Sequence, residues 1–292
     1  MRADATAIAA SPTRVGDFLE LTKPRITTLV LVTAAVGYAV GSRGFDPAAF
    51  LALLFGTAMV AGGASALNQH SERELDGRME RTRQRPLPAG RVTPGEALVF
   101  GLVLSGAGLV LLGTINVLTP ALGAAALASY VLLYTPLKRL TSLCTVVGAV
   151  PGAIPPMMGW AAARGTLDSG AWSLFAILFL WQLPHFLAIG WIYREDYARA
   201  GFPMLTVLDS DGRSTGRQMM LYSAALIPVT LFAGGLASAG AGYLWSALAL
   251  GLLFFGASFR FAWTRSIGTA RVLFLISVLY LPVLLGLMVF DR

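Results

Sequence analysis

The sequence predicts an all-α fold, a polytopic membrane helical bundle of about nine transmembrane helices, and three observations carry that prediction. Hydrophobic residues make up 56% of the 292 and charged residues only 13%, where a soluble domain carries about 25% charge; mean hydropathy is +0.69. The apolar residues fall in long continuous runs rather than the alternating ten-residue segments of a barrel, so helices are the spanning element. The basic residues crowd into alternate connections, as the positive-inside rule requires.

In chain order the spans read as 26–41, 49–67, 97–115, 119–135, 142–162, 171–193, 219–238, 242–261 and 270–290, each near the length a crossing needs. With the N-terminus in the cytoplasm, the inside segments hold nineteen of the 22 basic residues. These are Arg2, Arg14, Lys23 and Arg25; Arg73, Arg78, Arg81, Arg83, Arg85 and Arg91; Lys138 and Arg139; Arg194, Arg199, Arg213 and Arg217; and Arg260, Arg265 and Arg271. Only Arg43, Arg164 and Arg292 fall elsewhere. Residues 1–25 read as a cytoplasmic segment. They carry Asp4, Asp17, Glu20, Lys23 and Arg25 with no apolar core before Ile26, so no cleavable signal is expected and the first span is retained. Residues 26–290 form one transmembrane domain whose long cytoplasmic loops, 68–94 and 194–218, are where function is expected to sit. Glycine, at 32 residues, suits close helix packing. The single Cys144, in an apolar run, excludes an internal disulfide and any multi-thiolate metal site. A net charge of +7 would suit nucleic acid, but its distribution along the membrane face argues for a lipid bilayer and against a nucleic-acid partner.

The chemistry concentrates at inside helix ends. In Asn68-Gln-His-Ser-Glu72-Arg-Glu-Leu-Asp76, continuing the second span as a helix puts Asn68, Glu72 and Asp76 at i, i+4 and i+8, within about 80° of arc. Glu74 points away, and His70 falls off that face. Oxygen ligands so spaced suit a hard divalent cation such as Mg²⁺, which takes few carboxylates and shares phosphate oxygens; a solvated helix end is the plainer reading. Arg81 and Arg85 follow directly, in Met79-Glu-Arg-Thr-Arg-Gln-Arg-Pro86, and arginine binds phosphate in a planar, bidentate manner. Ordinary positive-inside charge explains the arginines one by one but not the adjacent acidic face. Glu195 and Asp196, closing the sixth span in Tyr193-Arg-Glu-Asp-Tyr197, repeat the pairing of acids with arginines. Two such sites on one face suggest a pair of metal positions around one diphosphate, with Glu72, Asp76, Glu195 and Asp196 as the candidate ligands and no assignment of acid to ion. Lys138 and Arg139, like Lys23 and Arg25, either grip that diphosphate or anchor their helices at the headgroups. Asp209 and Asp211, in Asp-Ser-Asp-Gly, look like turn residues. His185 lies inside the sixth span, where an ionisable side chain is expensive and a functional candidate by default, or else a neutral ring hydrogen-bonded beside the Pro184 kink.

Six phrases in series resemble the UbiA superfamily of intramembrane prenyltransferases. They are Leu21-Thr-Lys-Pro-Arg-Ile26, Asn68-Gln-x-x-Glu72-x-x-x-Asp76, Met79-x-Arg81-Thr-x-x-Arg85-Pro-Leu-Pro88, Tyr134-Thr-Pro-Leu-Lys-Arg139, Trp181-Gln-Leu-Pro-His-Phe186 and Asp196-Tyr-x-x-Ala-Gly-x-Pro-Met-Leu205. The fifth and sixth are similar to the members that use heme as acceptor. The resemblance implies Mg²⁺-dependent transfer of a farnesyl group from farnesyl diphosphate to the 2-vinyl group of heme B, with water completing the addition, to give heme O and diphosphate. It casts Asn68, Glu72, Asp76 and Asp196 as catalytic, and Arg81, Arg85, Lys138, Arg139, Lys23 and Arg25 as diphosphate-binding. His185 becomes a candidate for contacting heme. Heme O is the precursor of heme A, which implies a downstream heme A synthase as partner; a bacterial source would place the chain in the cell inner membrane. The sequence departs from the superfamily's aspartate-rich first motif, with Glu72 as the middle acid and Gln69 after Asn68. A prenyltransferase for an aromatic acceptor, such as 4-hydroxybenzoate or a quinone precursor, is the rival within the class. A secondary transporter is the rival outside it, though its intramembrane charges would lie along the spans rather than at their inside ends.

Overall fold

Each apolar run becomes a helix, and among the described residues nine helices are long and apolar enough to cross a membrane. The structure, a computed structural model, describes residues 13–237 and 239–291; the readings that fall on residues 1–12, Arg2 and Asp4 among them, on Ser238 and on Arg292 lie outside these. A short helix, α1 (Arg14–Leu21), precedes the first span, α2 (Pro24–Gly41). The chain continues through α3 (Pro47–Asp76), α4 (Pro94–Gly113), α5 (Leu118–Ala128), a π-helical turn (Ser129–Tyr134), α6 (Thr135–Leu137), α7 (Cys144–Arg164) and α8 (Ser169–Ile192). Two short helices, α9 (Arg194–Arg199) and α10 (Leu205–Leu208), lead to α11 (Arg213–Leu236), α12 (Ala241–Thr264) and α13 (Ile267–Phe290). The fourth predicted span is thus one crossing, Leu118–Leu137, built from α5, the π turn and α6.

Helix starts follow their caps. Asp46 accepts from Ala48 N and Ala49 N ahead of Pro47, and Thr93 with Glu96 closes a capping box ahead of Pro94. α11 begins at Arg213, earlier than its apolar run, because Asp209 Oδ2 accepts from Thr215 N at 2.7 Å and Asp211 Oδ1 from Arg213 N at 3.1 Å. Both acids are therefore the turn residues that their Asp-Ser-Asp-Gly setting indicates.

Small residues set the tightest contacts. A Cβ on Gly37 would strike the Pro156 carbonyl, and one on Gly159 the Ala34 carbonyl, so α2 and α7 meet backbone to backbone. Gly63 lies as closely against Ser105 and Gly101 on α4. One apolar core joins α7, α8, α11, α12 and α13 around Leu174, Met219, Phe254, Phe261 and Leu284. A second, around Tyr38, Leu53, Leu112 and Met158, joins α2, α3, α4 and α7. A third cluster, Met79, Tyr197, Ala200 and Phe202, ties the segment after α3 to the segment after α8. That contact brings the two acidic motifs to one end of the bundle.

Candidate active site

The site forms where α3 outruns the bilayer. At 30 residues it is about 45 Å long, against a hydrocarbon core of about 30 Å, so its last turns carry polar groups out of lipid while neighbouring segments cover them. Burial follows the spacing: Asn68 is 3% exposed, Glu72 1% and Asp76 1%. Ser71 and Glu74 face outward, Glu74 beside Arg73, and His70 Nδ1 lies 2.9 Å from the Pro94 carbonyl. The face that the i, i+4, i+8 pattern predicts is the buried face.

Cations from three other segments converge on it. Lys23 Nζ donates to Asn68 Oδ1 at 3.3 Å, Lys138 Nζ to Glu72 Oε2 at 2.9 Å, and Arg85 NH1 to Asp76 Oδ2 at 2.7 Å. Asn68 Nδ2 donates to Thr135 Oγ1 at 3.1 Å, and Thr135 donates onward to the Tyr130 carbonyl at 2.9 Å, five residues back in the π turn. Lys23 adopts a left-handed backbone (φ 49°) between α1 and α2. A lysine tolerates that conformation only where its surroundings over-determine it. Burial, with Arg85 nearby, pushes the Lys23 pKa down to about 7. Burial also works against a charged Lys138, but the Glu72 carboxylate outweighs it and its pKa is raised.

The second motif roofs the first. Arg81 NH2 donates to the Tyr197 hydroxyl at 3.4 Å, and its guanidinium lies 5.4 Å from the centroid of the Tyr193 ring. Lys138 Nζ lies 4.6 Å from the centroid of the Phe202 ring. Asp196 is buried and paired with Arg199. Lys23, Asn68, Glu72, Asp76, Arg85 and Lys138 are thus gathered together, with Arg81 beside Tyr197. Glu195 and Arg25 are exposed, and Arg139, also exposed, donates to the Ser71 carbonyl. Sequence reasoning did not single out Thr135, Tyr197 or Phe202; Thr135 and Tyr197 are specified positions in the quoted phrases, which was the only signal for them, and Phe202 falls on an unspecified position of the sixth phrase and had none.

Two atoms bear on a metal. Glu72 Oε1 and Asp76 Oδ1 are buried with no hydrogen-bond partner, and such carboxylate oxygens call for a cation. Among the described residues no three His, Cys, Asp or Glu side chains are grouped to hold a metal ion. A pair of carboxylates nevertheless fits Mg²⁺, which is bound through one or two carboxylates plus substrate phosphates.

A nine-span bundle with buried carboxylates and converging cations at one mouth is the framework of a polytopic membrane enzyme that handles a polyphosphate anion. Residues 30–281 match the UbiA prenyltransferase family, and the chain belongs to it. A protoheme IX farnesyltransferase from Solibacter usitatus is 50% identical over 287 residues, covering 94% of this chain and 98% of the relative. Among solved structures, digeranylgeranylglyceryl phosphate synthase superposes with a TM-score of 0.81 at 18% identity, over 95% of this chain and 98% of the other. A UbiA homolog from Archaeoglobus fulgidus bound to GPP and Mg2+ gives 0.67 at 14% identity, over 93% and 99%. These structural likenesses establish the fold. The protein is an integral, multi-pass membrane protein, with nine apolar helices among its described residues.

Proposed function

We propose that this chain transfers the farnesyl group of farnesyl diphosphate to the 2-vinyl group of heme B, giving heme O and diphosphate. The observation that carries the chemistry is the buried Asn68–Glu72–Asp76 face, with an unpartnered oxygen on each acid and Lys23, Arg85 and Lys138 turned onto it. The heme acceptor is supported by the Solibacter relative at 50% identity over nearly the full chain. Mg²⁺ binding is supported by that oxygen pair and by the Archaeoglobus homolog that holds the ion.

Heterolysis of the allylic C–O bond leaves its electron pair on diphosphate, so negative charge grows at the mouth of the bundle. Glu72 and Asp76 would hold Mg²⁺, which when bound neutralises part of that charge. Arg85 and Lys138 are ion-paired to those same acids and positioned to turn to the diphosphate, with Lys23 and Arg81 beside them. Once turned to the bound diphosphate, donors held there need no further reorganisation as the charge appears. The allylic carbon bonds to the terminal vinyl carbon, the cation passes to the adjoining carbon, and water adds there with loss of a proton. Until then water must be kept out, a task for the apolar bundle beneath the Phe202–Tyr197–Met79 roof. Its product is handed on to the enzyme that oxidises heme O toward heme A. The site faces the cytoplasm.

The test is product analysis by mass of purified protein in lipid nanodiscs with heme B, farnesyl diphosphate and Mg²⁺. A product carrying farnesyl plus water is expected, and Glu72→Gln or Asp76→Asn should cut turnover about 100-fold while the protein stays folded. Prenylation of 4-hydroxybenzoate in place of heme would overturn the reading.

A further inference from the structure

His185 is an ionisable group that the diphosphate chemistry does not use. It lies on α8, seven residues before the terminal Ile192 and so about 10 Å along the axis from the end that carries Asp196. Its Nδ1 is 2.7 Å from Ser277 Oγ on α13. Ser277 has one hydroxyl proton and donates it to the Phe274 carbonyl at 2.6 Å, so toward His185 it accepts. The ring proton is therefore on Nδ1, and the lone pair of the neutral imidazole is on Nε2. The one hydrogen bond the ring makes among the described residues runs through Nδ1, and the residue is only partly buried.

The ring is also held in plane. It stacks on Trp181 with centroids 4.9 Å apart at 22°, and on Phe274 at 5.1 Å and 29°. Trp181 Nε1 donates to the Ser277 carbonyl at 2.8 Å, which fixes the platform to the same serine. A histidine kept only to join α8 to α13 needs neither two stacked faces nor a bare nitrogen at membrane depth. An imidazole oriented through one N–H, with the other nitrogen free, is the arrangement of a metal-ligating histidine and its supporting acceptor. Imidazole suits iron.

We propose that His185 Nε2 is an axial ligand to the iron of the acceptor heme, and that Ser277 sets its tautomer, so that coordination registers the vinyl group against the prenyl carbon. This rests on the heme-acceptor reading above. The test is titration of ferric heme B into the full-length protein in nanodiscs, followed by the Soret band and electron paramagnetic resonance. Wild type should show a histidine-ligated spectrum. His185→Ala should lose it, bind heme about 10-fold or more weakly, and raise KM for heme while pyrophosphate affinity and Tm hold. His185→Gln gives the same comparison should the alanine variant not fold. Ser277→Ala should keep the spectrum but weaken heme binding by about 10-fold, in the range for loss of a supporting hydrogen bond. An unchanged spectrum and heme affinity in the His185 variants overturns the ligation, as does lost turnover with the spectrum intact. A wild type that farnesylates heme with no histidine signature sinks the ligation alone, whereas one that neither binds nor alkylates heme sinks the acceptor reading beneath it.

Discussion

Adjacent residues in one motif end in different environments. Lys138 is 8% exposed and bonded to Glu72; Arg139, the next residue, is exposed and donates to the Ser71 carbonyl at the rim of α3. Lys138→Ala should weaken pyrophosphate binding by about 10- to 150-fold, the loss of one charge-assisted contact of about 1.5–3 kcal/mol. Arg139→Ala should leave that affinity nearly unchanged, and equal losses at both would argue against the site drawn here. Lys23 makes a pH-dependent counterpart. Its pKa in the folded, ligand-free protein is about 7, against an ordinary 10.5. Between those values the unfolded chain binds the extra proton, so ligand-free stability rises with pH across that window. A bound diphosphate reverses the preference, since it favours the ammonium form. Binding above pH 7 must then take up a proton, and affinity must fall as pH rises. Isothermal titration with a farnesyl thiodiphosphate analogue from pH 6 to 9 should show a steeper fall for wild type than for Lys23→Arg, whose guanidinium stays charged; equal slopes would remove Lys23 from the site. Spacing made the Asn68, Glu72 and Asp76 face legible in the sequence. The partner of each was not, because Lys23, Arg85 and Lys138 come from segments whose approach depends on tertiary packing.

Hydropathy locates helices well and their ends poorly. The apolar run 49–67 ends in the sequence, but α3 continues to Asp76, because its polar last turns are buried by the segments that follow rather than by lipid. The π turn at Ser129–Tyr134 left no periodic mark, since its residues are as apolar as any span; such turns recur at functional sites. Here it places Thr135 under Asn68 and Lys138 beside Glu72. Glycine content pointed to close packing without saying where. The contact that matters is α2 against α7, where Gly159 leaves room for the Ala34 carbonyl and Gly37 for the Pro156 carbonyl. Gly159→Ala should force the two backbones apart and destabilise the protein by about 1–3 kcal/mol, read as a lower Tm in detergent. Gly256→Ala, with open space at its Cβ, should be neutral or stabilising by up to about 1 kcal/mol. Matching losses would mean that the cost comes from helix chemistry rather than from the α2–α7 contact.

Across the whole molecule, charge and topology constrain each other. With nine crossings among the described residues, the start of α2 and the ends of α3, α6, α8 and α12 fall on one side, and that side holds eighteen of the twenty described basic residues, all but Arg43 and Arg164. The cluster of Met79, Tyr197, Ala200 and Phe202 independently ties two of those ends together, so a single active site requires both to share a compartment. The positive-inside rule predicts that this compartment is the cytoplasm. Single cysteines introduced in a Cys144→Ala background decide the matter. Arg78→Cys and Ser210→Cys, both at exposed positions on the site side, should react with an impermeant maleimide only from the cytoplasmic face. Thr166→Cys, exposed in the turn between α7 and α8, should react only from the opposite face. Reversal of all three would turn the protein over in the membrane and leave the site intact. Labelling of Arg78→Cys and Ser210→Cys from opposite faces could not be reconciled with the Met79–Tyr197 contact, and would break the site into two unrelated loops.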